Sequence, residues 1–477
     1  MTLLPAKLKQ AGYETHMIGK GHLGYQTTDH LPIHRGFDTH LGYLEAAEHY
    51  YHGLQESCDI PAYANLPAEK STHGTWPPPD GGPPRAGRCH FDHWENAAEA
   101  SPEFITNLYY STNIFAERAI AKIEAAKPTA ALYIHLTWQA VHGPYTPVPA
   151  WESLQPTGED APYYSNYCPS AGQAQTPAQH ERCDFGSMLK VLDNGMKNVT
   201  DALVETHRWD SLLMIVSADN GGIGPGNNHP LRGSKMTPWQ GGTRVTAFLT
   251  GGFIPENLRG TSNSAIVHIA DWYPTLCNLV GVSAEDNVIL DGKMRPLDGV
   301  DVWPLIISQS ADSPHEYLPT TEYSIIWQGR WKLLTNAGGS GWYPPALGFN
   351  DSCMADLMNG TEGYGCMSDP KDWPCVGPTN AWLYPPGACA VCSAQHPCLF
   401  NLQEDEGERH NLASKEPAIV AQLAKAMAAY VPYVAPFMNE TELANYDCLE
   451  DPQQSVFPSP WWGNFSGPCC RPKTVKS

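Results

Sequence analysis

Three short apolar runs constrain the fold most: Ala131 to Thr137, Leu212 to Ser217 and Val245 to Leu249, each of strand length and rich in branched residues. They alternate with segments of helical period such as Ile114 to Ala126 and Met188 to Val204. Strands separated by helices bury both faces of a sheet, so the chain is expected to be an α/β protein with a large mixed sheet between helices. In such sheets ligands collect at the carboxyl ends of the strands, which is where candidate residues are sought.

The pattern changes near Ala311. Tyr323 to Leu334 reads as a hairpin around Gln328-Gly329, and Pro417 to Val431 as a helix capped by Ser414. The expectation is a large domain over 1–310 and a smaller C-terminal α+β subdomain over 311–477, with 477 residues ample for both. Asn65 to Arg88 and Ala337 to Pro397, rich in Pro and Gly, read as loops. Met1 to Met17 reads as a polar-faced helix with Leu4, Leu8 and Ala11 on one side, and it has no apolar signal-peptide core.

A net charge of −21, with no basic block before Arg471 to Lys476, argues against a nucleic-acid surface. No run approaches the ~18 apolar residues of a membrane-spanning helix. Fourteen cysteines point to disulfides and an oxidising compartment. Sequons at Asn198, Asn350, Asn359, Asn439 and Asn464 agree, so a secretory, lysosomal or extracellular protein is expected. A secreted composition without a signal peptide suggests a missing beginning.

In Ile215-Val-Ser-Ala-Asp219-Asn220-Gly-Gly, a strand ends in a carboxylate, an amide and two glycines. Asp219 and Asn220 offer hard oxygen ligands of the kind Ca²⁺ or Mg²⁺ takes, although the string alone also describes an Asx-turn. Arg232, Lys235 and Arg244 follow within thirteen positions and could neutralise an oxyanion, or could form a solvated basic loop. Gly19-Lys20-Gly-His22 places an ammonium and an imidazole two apart, and His142 stands just past Ala131 to Thr137, where it could serve an anion or a leaving group. Cys89-His90-Phe-Asp92-His93 and Cys389-Ala-Val-Cys392 with Cys398 contain metal-ligand residue types but no second pair at zinc spacing, and read as disulfide and surface sequence.

Together these segments resemble the sulfatase family, in wording close to its arylsulfatase B group. The matching phrases are Ala11-Gly-Tyr-Glu-Thr-His-Met-Ile-Gly-Lys20-Gly-His22-Leu-Gly, His34-Arg-Gly-Phe-Asp38, Ala140-Val-His142, Asp219-Asn220-Gly-Gly, Asn227-Asn-His-Pro-Leu-Arg-Gly-Ser-Lys235, His268-Ile-Ala-Asp-Trp-Tyr-Pro-Thr-Leu276, Leu297-Asp-Gly-Val-Asp-Val-Trp303 and Gly329-Arg-Trp-Lys-Leu-Leu334. The resemblance implies an alkaline-phosphatase-like sulfatase fold and hydrolysis of sulfate esters on sulfated sugars or aryl sulfates. It implies one Ca²⁺ held in part by Asp219 and Asn220, with Lys20, His22, His142 and Lys235 around the sulfate as catalytic and substrate-binding residues. It further implies a formylglycine nucleophile made from a cysteine in Cys-x-Pro-x-Arg by a formylglycine-generating enzyme, and in family members that segment and two more metal carboxylates lie upstream of the stretch matching Lys20.

Here the sequence departs from the family. No Cys-x-Pro-x-Arg occurs, and Cys168-Pro-Ser-Ala-Gly, with Pro one place early and no Arg, reads as half of a disulfide. Gly21 stands where a tryptophan is common. The expectation is a sulfatase whose nucleophile segment is missing from this sequence, with an incomplete calcium site and no turnover of its own. The alternatives are a catalytically dead relative that binds sulfated glycans and a phosphohydrolase on the related fold.

Overall fold

The computed structural model describes residues 2–24, 28–51, 92–99, 110–168, 177–286, 289–290, 293–294, 297–310, 312–321, 323–338, 390–430, 446–448 and 470–472. Among them no helix is long and apolar enough to cross a membrane. Asn350, Asn359, Asn439, Asn464, Cys89, His90, Cys389, the loop Asn65 to Arg88 and nearly all of the stretch after Gly338 up to Ala390 lie outside the described residues.

The first seventeen residues are not one helix. Helix α1 (Leu4–Gln10) ends where Gly12 takes φ 86°, and strand β1 (Tyr13–Lys20) follows. Ala11 N–H and Gly12 N–H close the helix on Leu8 O and Lys9 O, after which Thr15 to Gly19 are buried. A left-handed glycine is the ordinary helix stop, and an i, i+4, i+7 reading cannot see it because the apolar spacing continues past it.

β1 lies in a mixed five-stranded sheet of order β4-β3-β2-β1-β5. Its members are β2 (Thr39–Tyr43), β3 (Trp94–Glu95), β4 (Ala98–Glu99) and β5 (Ala131–Thr137). β1 runs parallel to β2 and β5, while β2–β3 and β3–β4 are antiparallel. Helices α2 (Ser111–Ala125) and α4 (Pro177–Glu205) cover one face, burying Ile114, Phe115, Ala119, Ile123, Val199 and Leu203 against Ile18, Leu41 and Tyr43. Helix α3 (Ala161–Tyr167) precedes α4, and Cys168–Cys183 joins the end of the one to the first turns of the other. On the opposite face α1 packs on β1 and also touches α6 (Trp272–Leu279).

β6 (Met214–Ser217) and β7 (Ala247–Thr250) form their own antiparallel pair, with the short α5 (Gln240–Thr243) between them in sequence. Both apolar runs begin two residues later in sequence than their pattern suggests. Although β5 reads Ala-Leu-Tyr-Ile-His-Leu-Thr, every residue in it keeps accessible surface, and the same holds for β6. Runs this apolar are normally buried on both faces.

After α7 (Trp303–Ser308) and the ribbon β8 (Ile289–Leu290) with β9 (Lys293–Met294) comes a four-stranded antiparallel sheet. It runs β10 (Tyr317–Thr321), β11 (Ser324–Trp327), β12 (Trp331–Leu334) and β15 (Cys398–Asn401). The hairpin turns through Gln328, Gly329 and Arg330 between the paired Trp327 and Trp331, with Gln328 (φ 51°) and Gly329 (φ 65°) both left-handed and Arg330 N–H donating to Trp327 O at 3.0 Å. Helix α8 (Pro417–Tyr430) covers this sheet with Leu423 against Ile325, Leu333 and Leu399. The ribbon β13 (Ala337–Gly338) with β14 (Ala390–Cys392) extends it, and Cys392 is bonded to Cys398.

One reading of the cysteine-containing segments changes. Asp92 and His93 are buried, not surface residues. The Asp92 carboxylate accepts from Leu44 N–H, Glu45 N–H and the Trp94 indole, and His93 lies 3.3 Å from Glu48. Asn198, the one sequon residue described, is exposed on α4, a helix, where a loop is usual.

Candidate functional site

Lys20 ends β1, and the backbone that aims it depends on a close approach. Gly19 sits at φ 104°, and a Cβ there would lie 2.0 Å from Thr137 O. The Thr137 hydroxyl donates to Lys20 O at 2.8 Å, tying β5 to β1 at the point where Lys20 leaves the sheet. Gly21 N–H and His22 N–H then donate to Tyr43 O and Leu44 O, so the segment runs on beside β2, with His22 at φ 47°.

His142 arrives from the loop after β5. Its Nδ1 stands 2.8 Å from Gly143 O, which assigns the proton to Nδ1 and leaves Nε2 as the acceptor. Lys235 Nζ lies 3.2 Å from that Nε2, although ninety-three positions separate the two residues. Burial lowers the His22 pKa, and the charges of Lys20, Lys235 and His142 lower it further while Asp219 opposes them. His22 is therefore electrostatically coupled to residues from four separate segments, all at carboxyl ends of strands or in the loops that follow.

The loop that carries Lys235 is fixed by Asn228, whose role is not evident from its neighbours in the chain. Asn228 accepts from Gly222 N–H at 2.8 Å and donates to Gly222 O and Gly233 O. Lys235 N–H also donates to Gly222 O, so one side chain braces the Lys235 loop against the Asp219-Asn220 turn. The only hint in the sequence is the doubled asparagine after a glycine. Gly221 is packed so closely that a Cβ would sit 1.7 Å from Gly241 O.

Of the three cations expected to face an anion, Lys235 contacts another candidate residue, while Arg232 and Arg244 are engaged elsewhere. Arg232 lies 3.7 Å from the Trp239 ring centroid, and its Nη1 points to Glu408 O. Burial lowers its pKa to about 10. Arg244 pairs with Glu406 at 3.1 Å on the surface. Arg232 is half-buried scaffolding because its flat guanidinium stacks well on indole, which an ammonium does less effectively.

Asp219 is exposed and Asn220 half-buried, with Asn220 Nδ2 donating to Gly221 O and leaving Oδ1 as its ligand atom. Calcium takes six to eight oxygens. No group of three or more His, Cys, Asp or Glu among the described residues could hold a metal ion. One carboxylate and one amide do not fit calcium by themselves.

Lys20, His22, His142, Asp219, Asn220 and Lys235 all line one cavity of about 4850 Å³, which also runs down between β5 and β6. The arrangement places two ammonium groups, two imidazoles and one carboxylate in the lining of one largely apolar cavity. It suits an anion with several oxygens better than a cation.

Comparison with known proteins gives the same direction. A family model described as Sulfatase matches residues 1–282. Arylsulfatase J of Mus musculus is 31% identical over 438 residues, covering 90% of this chain and 61% of that protein. Arylsulfatase G of Rattus norvegicus is 28% identical over 339 residues, covering 65% and 53%. The chain thus spans a little over half the length of these curated relatives. Among solved structures, Ps i-CgsB superposes with TM-score 0.57 at 19% identity, covering 90% of this chain and 74% of that one. PsFucS1 sulfatase from Pseudoalteromonas sp. superposes with TM-score 0.57 at 18% identity, covering 90% and 72%.

Proposed function

The chain belongs to the sulfatase family, and from that premise we propose that it is the larger part of a sulfuric ester hydrolase of arylsulfatase type. The carrying observation is the 3.2 Å contact of Lys235 with His142, beside Lys20 and His22 and within electrostatic reach of Asp219. Lys20 and Lys235 neutralise the sulfate oxygens as charge develops on them, and His142 serves the leaving oxygen, its Nε2 carrying a proton there when the imidazole is charged. His22 completes the anion contacts.

Asp219 and Asn220 are two ligands of a calcium site whose other ligands lie outside the described residues, and the bound ion would supply further charge neutralisation. The nucleophile is not among residues 1–477, which contain no Cys-x-Pro-x-Arg. We read it as a formylglycine on polypeptide outside them, made by a formylglycine-generating enzyme. Sulfated glycans or small sulfate esters are the substrates. An arylsulfatase B-type specificity rests on the wording of the motifs, and a secretory or lysosomal setting on the cysteines and sequons. One solved structure with this fold, Ps i-CgsB, is a complex with k-i-k-neocarrahexaose, at TM-score 0.56 and 20% identity.

The missing nucleophile favours a second reading, a non-catalytic relative that binds sulfated glycans through the same cations. Calorimetry separates these from a phosphohydrolase. Residues 1–477 are expected to bind inorganic sulfate in preference to phosphate, and Lys235→Ala to weaken sulfate tenfold or more. Unchanged affinity in that variant removes the site. The chain alone is expected to bind p-nitrocatechol sulfate without turning it over, and multiple turnover would sink the assignment of the nucleophile to another segment. A longer form bearing Cys-x-Pro-x-Arg that still fails to hydrolyse it would favour the binding protein.

A further inference from the structure

Lys235 sits on a β-turn whose next residue is unusual for its place. Thr237 N–H donates to Ser234 O at 3.1 Å, closing a four-residue turn over Ser234, Lys235, Met236 and Thr237. Within it Met236 takes φ 73° and Lys235 does not share the positive φ, the pattern of a type II turn. That third position favours glycine, because a Cβ at positive φ crowds the neighbouring backbone, and a methionine there is strained. The surroundings hold it in place. The Thr237 hydroxyl donates to Ser234 O at 2.7 Å and accepts from Ser234 N–H at 3.2 Å, while Lys235 N–H is bound to Gly222 O.

Packing gives little in return, since the Met236 side chain is 79% exposed. The five most exposed large apolar side chains among the described residues are Leu23, Trp151, Tyr163, Met236 and Ile269. Two of these directly follow a candidate site residue, Leu23 after His22 and Met236 after Lys235. His22 is itself left-handed at φ 47°, and Arg35 donates to Leu23 O at 3.0 Å, so the main chain of Leu23 is held while its side chain stands 67% exposed. Both side chains line the same cavity as Lys20, His142 and Lys235. One exposed apolar residue is ordinary on any surface. Two beside one set of cations, one of them at a turn position that disfavours it, point to a ligand, because backbone strain that packing does not repay collects at functional sites.

A sulfate ester has two unlike halves. The sulfuryl oxygens suit the cations, whereas the alcohol presents carbon. Apolar side chains one residue beyond two of the anion contacts meet that second half. Methionine fits the place because its unbranched thioether adapts to an irregular surface and its sulfur makes favourable contacts at the edge of an aromatic ring.

We propose that Met236, together with Leu23, is specificity-determining: the two side chains form an apolar lip on the anion pocket that contacts the carbon framework of the leaving alcohol. Esters whose alcohol turns a flat apolar face to the lip are preferred over those that present little carbon there. This selectivity rests on Lys20, His22, His142 and Lys235 being the sulfate site, and it concerns the half of the ester that those residues do not hold.

Calorimetry on residues 1–477 with inorganic sulfate, methyl sulfate and phenyl sulfate tests it. The two esters carry the same charge and differ in the carbon they present, so the ratio of their affinities reads the lip and inorganic sulfate reads the pocket. Wild type is expected to bind phenyl sulfate about tenfold tighter than methyl sulfate, and Met236→Gly to lower that ratio about fivefold. Met236→Gly is also expected to melt at least as high as wild type, since glycine accepts the left-handed position. A purely structural role for Met236 would change the melting temperature and leave the ratio alone. Met236→Leu keeps an apolar side chain and is expected to hold the ratio within about twofold, while Leu23→Ser lowers it about threefold.

A ratio unchanged in Met236→Gly, with inorganic sulfate still bound and still lost in Lys235→Ala, overturns the lip and leaves the anion pocket standing. A Met236→Gly chain that melts lower and loses all three ligands together assigns Met236 to folding and overturns the lip as well. So does a Met236→Leu ratio as low as that of Met236→Gly, because apolar surface would then not be what selects the ester. Wild type that binds none of the three probes refutes the anion pocket, and the lip with it.

Discussion

Replacing Lys332 with methionine isolates the interaction that anchors the Lys235 loop to the C-terminal sheet. Lys332 on β12 and Glu408 are both fully buried, with Nζ 2.7 Å from Oε1. Neither atom has another hydrogen-bond partner among the described residues, so each depends on the other for compensation of its burial. Burial lowers the Lys332 pKa while Glu408 opposes that shift. The other carboxylate oxygen of Glu408 accepts from Gln240 N–H at 2.6 Å, and its main-chain oxygen receives Arg232. Methionine matches the lysine stem but leaves a carboxylate buried without its cation, which costs about 3–5 kcal/mol. Adding Glu408→Gln removes the stranded charge and keeps an acceptor for Gln240 N–H, so the double variant is expected to recover most of that loss. The assay is urea denaturation followed by tryptophan fluorescence on the two single variants and the double. A Lys332→Met loss below about 1 kcal/mol, or a double variant as unstable as the two singles added together, would refute the assignment of a buried charge pair.

Gly19→Ala places a Cβ 2.0 Å from Thr137 O at a left-handed backbone position; a loss of roughly 3 kcal/mol or failure to fold is expected, and a wild-type melting temperature would contradict it. Arg244→Ala is expected to leave sulfate affinity within twofold, because the guanidinium is held by Glu406 on the surface; a tenfold loss in calorimetry would return it to the site. Burial, with Glu181 adding, raises Asp184 to about 7. Since the folded value is raised, its contribution is full below the unfolded pKa near 3.8 and is lost as pH rises through about 7. Wild type should lose up to about 4 kcal/mol over that range, and Asp184→Asn should flatten the change; equal pH slopes in urea titrations at pH 4.5 and 7.5 would exclude it. Sulfate affinity should rise as pH falls below 6.5, because burial and the neighbouring cations hold His22 neutral until then; His22→Gln should remove that part of the slope.

The sequence by itself determined much of this protein. Alternating apolar runs and helical segments specify a helix-covered mixed sheet, because a strand buried on both faces and a helix buried on one leave different periods. The Gln328-Gly329 turn, the helix over Pro417 and its neighbours, and the order of Lys20, His22, His142, Asp219, Asn220 and Lys235 were legible for the same local reason. Each depends on residues near one another in the chain.

What only the tertiary structure decided depends on residues far apart. Position alone could not tell that Lys235 meets His142 across ninety-three positions while Arg232, three residues earlier, stacks on Trp239. The burial of Asp92 and His93 is set by partners on other segments. The early strand Tyr13–Lys20 was hidden by a glycine stop inside a continuing apolar spacing. The apolarity of Ala131 to Thr137 was plain in the sequence, but that it pairs in parallel with Tyr13–Lys20 is a fact about residues far apart in the chain, which only the folded arrangement fixes.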